Sequence, residues 1–280
     1  MATVLALSSQ VVRGHVGLSA IVPVLQRMGH EVWPMPTILL SNHPGHKRAI
    51  ATHLPVNTLE GMIDALDANG WLGSVDAVMT GYLPTVEHVA VAARAAARVR
   101  ERRPDALVLV DPIMGDDPKG LYIDAKAAAA IRDVLVPLAT LIMPNRFELA
   151  WLAGVDVGSP EQAARAARRL APSRVLATSI PDGATDIANV MVSRSQASAQ
   201  ICRVKRLCDV PHGTGDTLSA LFLGHLLRTG DQDTLLGRAV GGVAYAIAAS
   251  RGEEELRLIA ALDGAIAATP LPAPSLAVPA

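Results

Sequence analysis

The chain has 280 residues, half of them apolar, with 25 basic against 26 acidic side chains and a formal charge of −1. That balance supplies no basic stripe for nucleic acid and no cationic face for an anionic membrane, so neither is expected as a partner. Aromatic residues make up only 3% while Ala, Leu and Val dominate, which fits helices packed on a buried parallel sheet better than an aromatic-rich β-sandwich. The two cysteines, Cys202 and Cys208, show no CxxC and no paired histidine spacing, so neither a disulfide framework nor a zinc site is expected. Met1 to Leu7 lacks the basic region, long apolar core and cleavage site of a signal peptide, and no run of about 18 uncharged apolar residues occurs. A soluble, cytoplasmic protein is the expectation.

Short apolar runs alternate with longer helical patterns, the sign of βαβ units. Val4 to Leu7 reads as a buried strand, followed by a polar loop from Ser8 to Gly17 and a helix from Leu18 to Met28 closed by Gly29. Val32 to Leu40 is extended, and Pro34 and Pro36 argue for an edge or irregular strand. A helix over Asn57 to Asn69 precedes a strand over Val75 to Thr80 and an Ala/Arg-rich helix over Thr85 to Arg103. Ala106 to Val110 is a strand ending at Asp111, and Pro112 to Tyr122 is a loop before a helix over Asp124 to Leu135. Thr140 to Met143 is a strand leading into Pro144-Asn145, with a helix from Phe147. Pro160 to Leu170 is helical and Val175 to Thr178 extended; Asp186 to Ser193 and Ala199 to Leu207 read as a hairpin-like β-rich pair. Three helices follow, Thr214 to Thr229, Thr234 to Ser250 and Glu253 to Ala268. One doubly wound α/β domain over residues 1–268, without a separate lid domain, is the economical reading. Residues 269–280, rich in proline and uncharged from Pro270, form a tail that stays loose unless it docks on a partner.

In doubly wound sheets, ligands bind beyond the carboxyl ends of the strands. Three polar loops fall there. Asp111-Pro112-Ile113-Met114-Gly115-Asp116 places two carboxylates after a strand, and Pro144-Asn145-Arg146-Phe147-Glu148 places Asn and Glu three apart at a helix start. Pro211-His212-Gly213-Thr214-Gly215-Asp216 runs directly into an apolar helix. A helix start offers unpaired N–H groups and the positive end of the macrodipole, which suit a phosphate. A carboxylate in that first turn, Asp216, stands where a base could deprotonate an alcohol attacking phosphorus. Hard oxygen ligands near phosphate also suit Mg²⁺. The plainer alternative for each acid is helix capping; Glu148 with Asn145 has the spacing of a capping box. Walker-type G-x-x-x-x-G-K-[ST] is absent, and the first strand runs into Ser8-Ser9-Gln10, not G-x-G-x-x-G, which weakens a dinucleotide-binding reading.

The N-terminal half adds Ser9-Gln10-Val11-Val12-Arg13-Gly14-His15-Val16-Gly17, Val32-Trp33-Pro34, Ser41-Asn42-His43-Pro44-Gly45 and Gly81-Tyr82-Leu83. Together with the three strand-end loops, in this order and spacing, the chain resembles the pyridoxal kinases of the ribokinase-like superfamily from Leu5 to about Asp263. The resemblance implies a mostly parallel central sheet flanked by helices, with ATP and a pyridine alcohol meeting at its rim. It implies that Asp216 is the base for the 5′-hydroxyl of pyridoxal, and that Gly213, Thr214 and Gly215 donate to the transferred phosphoryl group. Asp111 and Glu148 would position Mg²⁺–ATP, Glu148 through water, with Asp116, Asn145 and Thr178 near the nucleotide. Ser9, Val11, His43, Pro44 and Tyr82 would line the pyridine pocket, His43 and Tyr82 packing on the ring; from the residues alone His43 reads as a surface-loop histidine and Tyr82 as a strand-end core residue. Asn42 to His46 and Gly115 to Tyr122 would be flaps. A homodimer is implied as well, with a requirement for K⁺ or another monovalent cation left open. Leu18, Arg13 and Pro84 depart from the family pattern.

Two rival readings remain. A hydroxymethylpyrimidine kinase of the same superfamily would carry a glycine-rich loop after the first strand, which Ser9 to Gly17 does not resemble. A catalytically silent protein that holds pyridoxal phosphate would be free to lose Asp216 and the glycine run, and both are present.

Overall fold

The computed structural model describes residues 1–229 and 233–277. Six strands form the parallel centre of the sheet: β1 (Thr3–Val11), β2 (Glu31–Leu40), β4 (Ala77–Thr80), β5 (Leu107–Val110), β8 (Leu141–Ile142) and β9 (Arg174–Asp182). Antiparallel strands extend both sides, β3 (Ala51–His53) beyond β2, and β10 (Asp186–Ser193), β11 (Ala199–Lys205) and β12 (Ser275–Leu276) beyond β9. The order is β12-β11-β10-β9-β8-β5-β4-β1-β2-β3, and a two-stranded hairpin, β6 (Gly115–Asp116) with β7 (Gly120–Leu121), stands apart.

Helices cover both faces because the central strands are apolar on both. On one face lie α2 (Val56–Ala68), α3 (Val86–Arg102), α4 (Ala125–Ala130), α5 (Arg146–Ala153) and α6 (Pro160–Arg168). On the other lie α1 (Leu18–Arg27), α7 (Thr214–Thr229), α8 (Leu235–Ala249) and α9 (Leu258–Ile266). Buried alanines on α3 and α6 let those helices sit close to the strands, which is where the Ala-rich composition is spent. Leu18 is fully buried in the core of the α1 face, so this departure from the family pattern belongs to packing and not to the pocket wall. Among the described residues no helix is long and apolar enough to cross a membrane.

Three sequence expectations are corrected here, and the edge or irregular character expected of the Pro34–Pro36 stretch is met. The first strand continues through Ser8 to Val11, because β2 runs on alongside it after a register shift at Ser8/Ser9; the loop begins only after Val11. The prolines of β2 are accommodated because β3 pairs only with Ile38 to Leu40, so the Pro34–Pro36 stretch is hydrogen-bonded on the β1 side alone. The expected helix over Asp124 to Leu135 is capped by Asp124, whose carboxylate accepts from Lys126 N at 2.7 Å, but it loosens into a π-turn at Ile131–Leu135. The last helix starts at Leu258 and not at Glu253; there the Ser250 hydroxyl accepts from Arg257 N at 2.9 Å, and Glu254 and Glu255 are used in a surface ion network.

The tail is not loose up to Ala277. Leu271 N donates to Gly237 O at 3.0 Å, Ile201 N donates to Pro274 O at 3.0 Å, and Ser275–Leu276 closes the sheet as β12. A strand of proline-rich chain needs few partners of its own, and α8 gives it a seat by carrying no side chain at the contact: a Cβ on Gly237 would lie 2.1 Å from Leu271 O. Residues 278–280 lie outside the described residues.

Gly237→Ala should therefore lower the thermal midpoint by several degrees, since backbone and not a flexible side chain must yield. Gly61→Ala, inside α2 with nothing within 4 Å of its would-be Cβ, should raise it slightly. A scanning calorimetry comparison in which both variants gain stability would show that the tail does not pack on α8.

Candidate active site

The C-terminal ends of the central strands open on one cavity of about 710 Å³. Its lining joins most of the residues singled out in the sequence: Ser9, Val11, His43, Pro44 and Tyr82 on one side, Asp111, Asp116, Asn145, Glu148 and Thr178 on another, with Gly213, Gly215 and Asp216 between them. Thr214 opens α7 without itself lining the cavity. The expectation that strand-end loops converge is met because β1, β4, β5, β8 and β9 point the same way.

The turn into α7 is tight. Gly213 has φ +98, and a Cβ there would lie 1.7 Å from His15 O, so both the conformation and the contact require glycine. Thr217 donates to Gly213 O twice, from its amide at 2.9 Å and its hydroxyl at 2.8 Å, which closes the first turn. First-turn amides have no intrahelical acceptor, so this corner is electropositive by construction. Asp216 sits in it. Its Oδ1 is buried without a hydrogen-bond partner, and burial pushes its pKa up to about 6 against the pull of the Gly17 amide and its own.

Glu148 is both cap and clamp. Asn145 accepts from Glu148 N at 3.0 Å while Glu148 Oε2 accepts from Asn145 N at 2.9 Å, a complete capping box on α5. Glu148 Oε1 meanwhile accepts from Met114 N at 2.9 Å, and Asn145 Nδ2 donates to Gly115 O at 2.8 Å, so the pair also fixes the loop after β5. Glu148 is only 2% exposed, and burial raises its pKa to about 7 although three amides oppose the rise. Asp111, 8% exposed, accepts from the Ser219 hydroxyl at 2.7 Å. Its pKa lies well above the usual carboxylate range, first from burial and then from the charges of Glu148 and Asp216. Ile113 after Asp111 and Ser179 after Thr178 hold φ of 35° and 57°, a strained conformation for a β-branched residue in particular.

The opposite end is apolar. Val11, Val16, Ile38 and Leu40 form a small buried cluster against which Tyr82 packs, and burial raises the Tyr82 pKa. Ser8, not Ser9, holds the Tyr82 loop, accepting from Tyr82 N at 3.1 Å. Ser9 is packed under Gly17 and lines the cavity. One face of His43 is already covered by His212, with ring centroids 3.6 Å apart, so a ligand can pack only on the other. Arg13 reaches across the surface to Glu254 and Glu255, at 2.6 and 3.0 Å, away from the pocket wall.

Several lining residues escaped sequence reasoning. Ser219 was legible in principle, since it lies three residues beyond Asp216 on the same helix face. Met143 and His53 carried no local signal, and Lys119, Tyr122 and His212 lay in segments marked by the sequence without a role of their own.

The fold and the strand-end cavity are those of a ribokinase-like small-molecule kinase. The phosphomethylpyrimidine kinase family profile matches residues 30–255. A pyridoxal kinase of Corynebacterium diphtheriae is 36% identical over 245 residues, 86% of either chain. A pyridoxine/pyridoxal/pyridoxamine kinase of Bordetella avium is 37% identical over 91% of this chain and 88% of its own. The pyridoxal kinase of Leishmania donovani, solved with ADP and pyridoxamine, superposes with a TM-score of 0.92 at 27% identity, covering 99% of this chain and 100% of that one. The chain belongs to the pyridoxal kinases of this family.

A carboxyl whose pKa rises on folding favours the folded state when protonated; that advantage is lost as pH climbs through the folded pKa. For Asp216 the window runs from 3.8 to about 6. Asp216→Asn should therefore raise the thermal midpoint, by more at pH 8 than at pH 5. Discounted for water in the cavity, the gain at pH 8 is roughly 1–3 kcal/mol. An equal or reversed effect at the two pH values would contradict the buried-carboxylate reading.

Proposed function

We propose that this chain is an ATP-dependent pyridoxal kinase that phosphorylates the 5′-hydroxyl of pyridoxal, with pyridoxine and pyridoxamine as further acceptors. The observation that carries the mechanism is Asp216, a carboxylate with an unpartnered buried oxygen in the first turn of α7, beside the Gly213 turn. In this reading Asp216 takes the proton of the 5′-hydroxyl as its oxygen attacks the γ-phosphorus. The attacking O–P bond forms, the bond to the β-phosphate oxygen breaks, and ADP leaves. Charge on the transferred group is met by the helix N-terminus at Gly213, Thr214 and Gly215, where donors are fixed before the reaction begins. A pKa near 6 suits the task, since the base is ionised at neutral pH yet not too weak to accept a proton.

The nucleotide would lie toward Asp111, Asp116, Asn145, Glu148 and Thr178, and the pyridine ring toward Ser9, Val11, His43, Pro44 and Tyr82. Mg²⁺ fits this acid set. Among the described residues no three His, Cys, Asp or Glu side chains form a metal cluster, so the ion would depend on the nucleotide's phosphates and on water for most of its ligands. Asp111 would hold it, and Glu148, whose oxygens already serve two backbone amides, would act through water. The ion's chemistry is neutralisation of phosphate charge. A monovalent cation, a homodimer and a cytoplasmic location complete the proposal.

The reading is tested by following ADP release with pyridoxal, pyridoxine, pyridoxamine and hydroxymethylpyrimidine in parallel. Turnover on the first three supports it. Turnover only on hydroxymethylpyrimidine moves the assignment to that kinase, and none on any leaves a silent pyridoxal-phosphate-binding protein.

Asp216→Asn should lower kcat by about three orders of magnitude or more while ATP still binds. In the wild type, kcat/KM should fall as pH drops through about 6, because the protonated carboxyl cannot serve as base. Near-normal turnover by the Asn variant would reduce Asp216 to a helix cap.

A further inference from the structure

The segment from Ser41 to Ile50 projects from β2 and is closed at its base. Ser41 N donates to Ile50 O at 2.9 Å, and Ile50 N returns to the Ser41 hydroxyl at 2.9 Å. Asn42 Nδ2 ties the interior, donating to His43 O at 3.1 Å and Arg48 O at 2.9 Å. The tip, His43-Pro44-Gly45, walls the cavity at its apolar end. Something outside the loop must hold that tip against the rest of the molecule.

Two contacts do so. On the outside, His46 lies 2.9 Å from Glu255 through Nε2 and 3.5 Å from Glu254 through Nδ1, and Arg13 engages both acids. On the inside, His43 stacks on His212, ring centroids 3.6 Å apart and planes 26° from parallel, with His46 set edge-on to the same ring at a centroid distance of 6.5 Å. Gly45 fits between them because it lacks a side chain: a Cβ there would lie 2.8 Å from His212 Nε2 and 2.9 Å from His43 Nδ1. Gly45 N donates to His43 Nδ1 at 3.0 Å, which requires that nitrogen to carry a lone pair. Burial and the neighbouring cationic groups lower the pKa of His43 to about 4 and also lower that of His212, so the stack is not opposed by like charge at neutral pH. His212 is also the residue before Gly213, where the turn into α7 begins.

We propose that His212 is a positioning residue that holds the His43 loop as the wall of the alcohol end of the cavity, and so couples that wall to the phosphate-binding turn. The proposal rests on the kinase reading for its substrate, but the mechanical part does not. His212 covers one face of His43 and leaves the other to a flat ring, so the stack fixes the plane on which a pyridine can pack. Nothing in this role requires His212 to exchange a proton; a flat uncharged ring of similar size would serve.

The test has two readouts on His212→Ala, His212→Phe and Gly45→Ala. The first is limited trypsin digestion of the full chain without ligand, reading cleavage at Lys47 and Arg48, which are exposed within this loop. Loss of the stack should speed that cleavage about fivefold or more in His212→Ala and in Gly45→Ala, and His212→Phe should restore the wild-type rate. The second is steady-state kinetics. Pyridoxal KM should rise about tenfold in His212→Ala, as expected for loss of one aromatic-type contact, while ATP KM moves by less than about twofold. His212→Phe should again recover most of the loss. Unchanged cleavage in His212→Ala would assign the hold to the contacts of His46 with Glu254 and Glu255 and overturn the proposal. Equal rises in both KM values, or no recovery with Phe, would overturn it too. If the wild type turns over no B6 vitamer, the kinase reading fails by itself, and the cleavage rates still decide whether His212 holds the loop.

Discussion

The structure turns on three carboxyl groups, Asp111, Glu148 and Asp216, brought to one rim of a buried sheet. Burial raises all three pKa values, and Asp111 is raised further by the other two. Like charges in a low-dielectric corner oppose folding. The fold accepts them because each has been given donors: amides of Met114 and Asn145 for Glu148, the Ser219 hydroxyl for Asp111, and the Gly17 amide with its own for Asp216. The same donors fix the geometry. An acid that must be clamped to be tolerated is thereby also aimed.

That constraint explains where the backbone is strained. Ile113 takes a left-handed conformation in the loop after β5 that carries Asp111, and Ser179 takes one beside Thr178 within β9, where the pairing with β10 is irregular. The Ile113 amide acts on Asp111 to favour its charged form, so the strained turn contributes to holding the acid. The rest of the molecule is conservative by comparison. Alanine-rich helices pack on apolar strands, and the tail closes the sheet through a strand beyond β11. Asp209, the remaining non-glycine residue with a left-handed φ among those described, is of a type that tolerates it.

Much of this was legible in the sequence, for reasons specific to each element. The alternation of short apolar runs with helical patterns gave the parallel sheet, and Asp111, Asn145 and Gly213 announced themselves because each ends a strand or opens a helix. The choice between cap and chemistry was not legible at Glu148, and the structure shows why: its carboxylate caps α5 and clamps the Asp111 loop at once. The length of β1 was misread because Ser8-Ser9-Gln10 is polar, and only the neighbouring strand keeps it extended. The tail was misread because its partners, β11 and the glycines of α8, lie elsewhere in the chain. His212 was invisible as a functional residue for the same reason. Its partner His43 belongs to a loop on the far side of the sheet order, and no local pattern marks a contact of that kind.

The distribution of charge within the cavity adds a last step. Four carboxyl groups line it, Asp111, Asp116, Glu148 and Asp216, against Lys119 as the one Lys or Arg among the described lining residues. The histidines near its mouth, His43 and His212, have lowered pKa values and do not offset that charge at neutral pH. Burial itself limits the charge of this wall, since it raises the pKa of Asp111, Glu148 and Asp216. The opposite end carries no comparable charge, being built from Val11, Val16, Ile38, Leu40 and Tyr82. One cavity thus offers two environments, an acid-lined end and an apolar end.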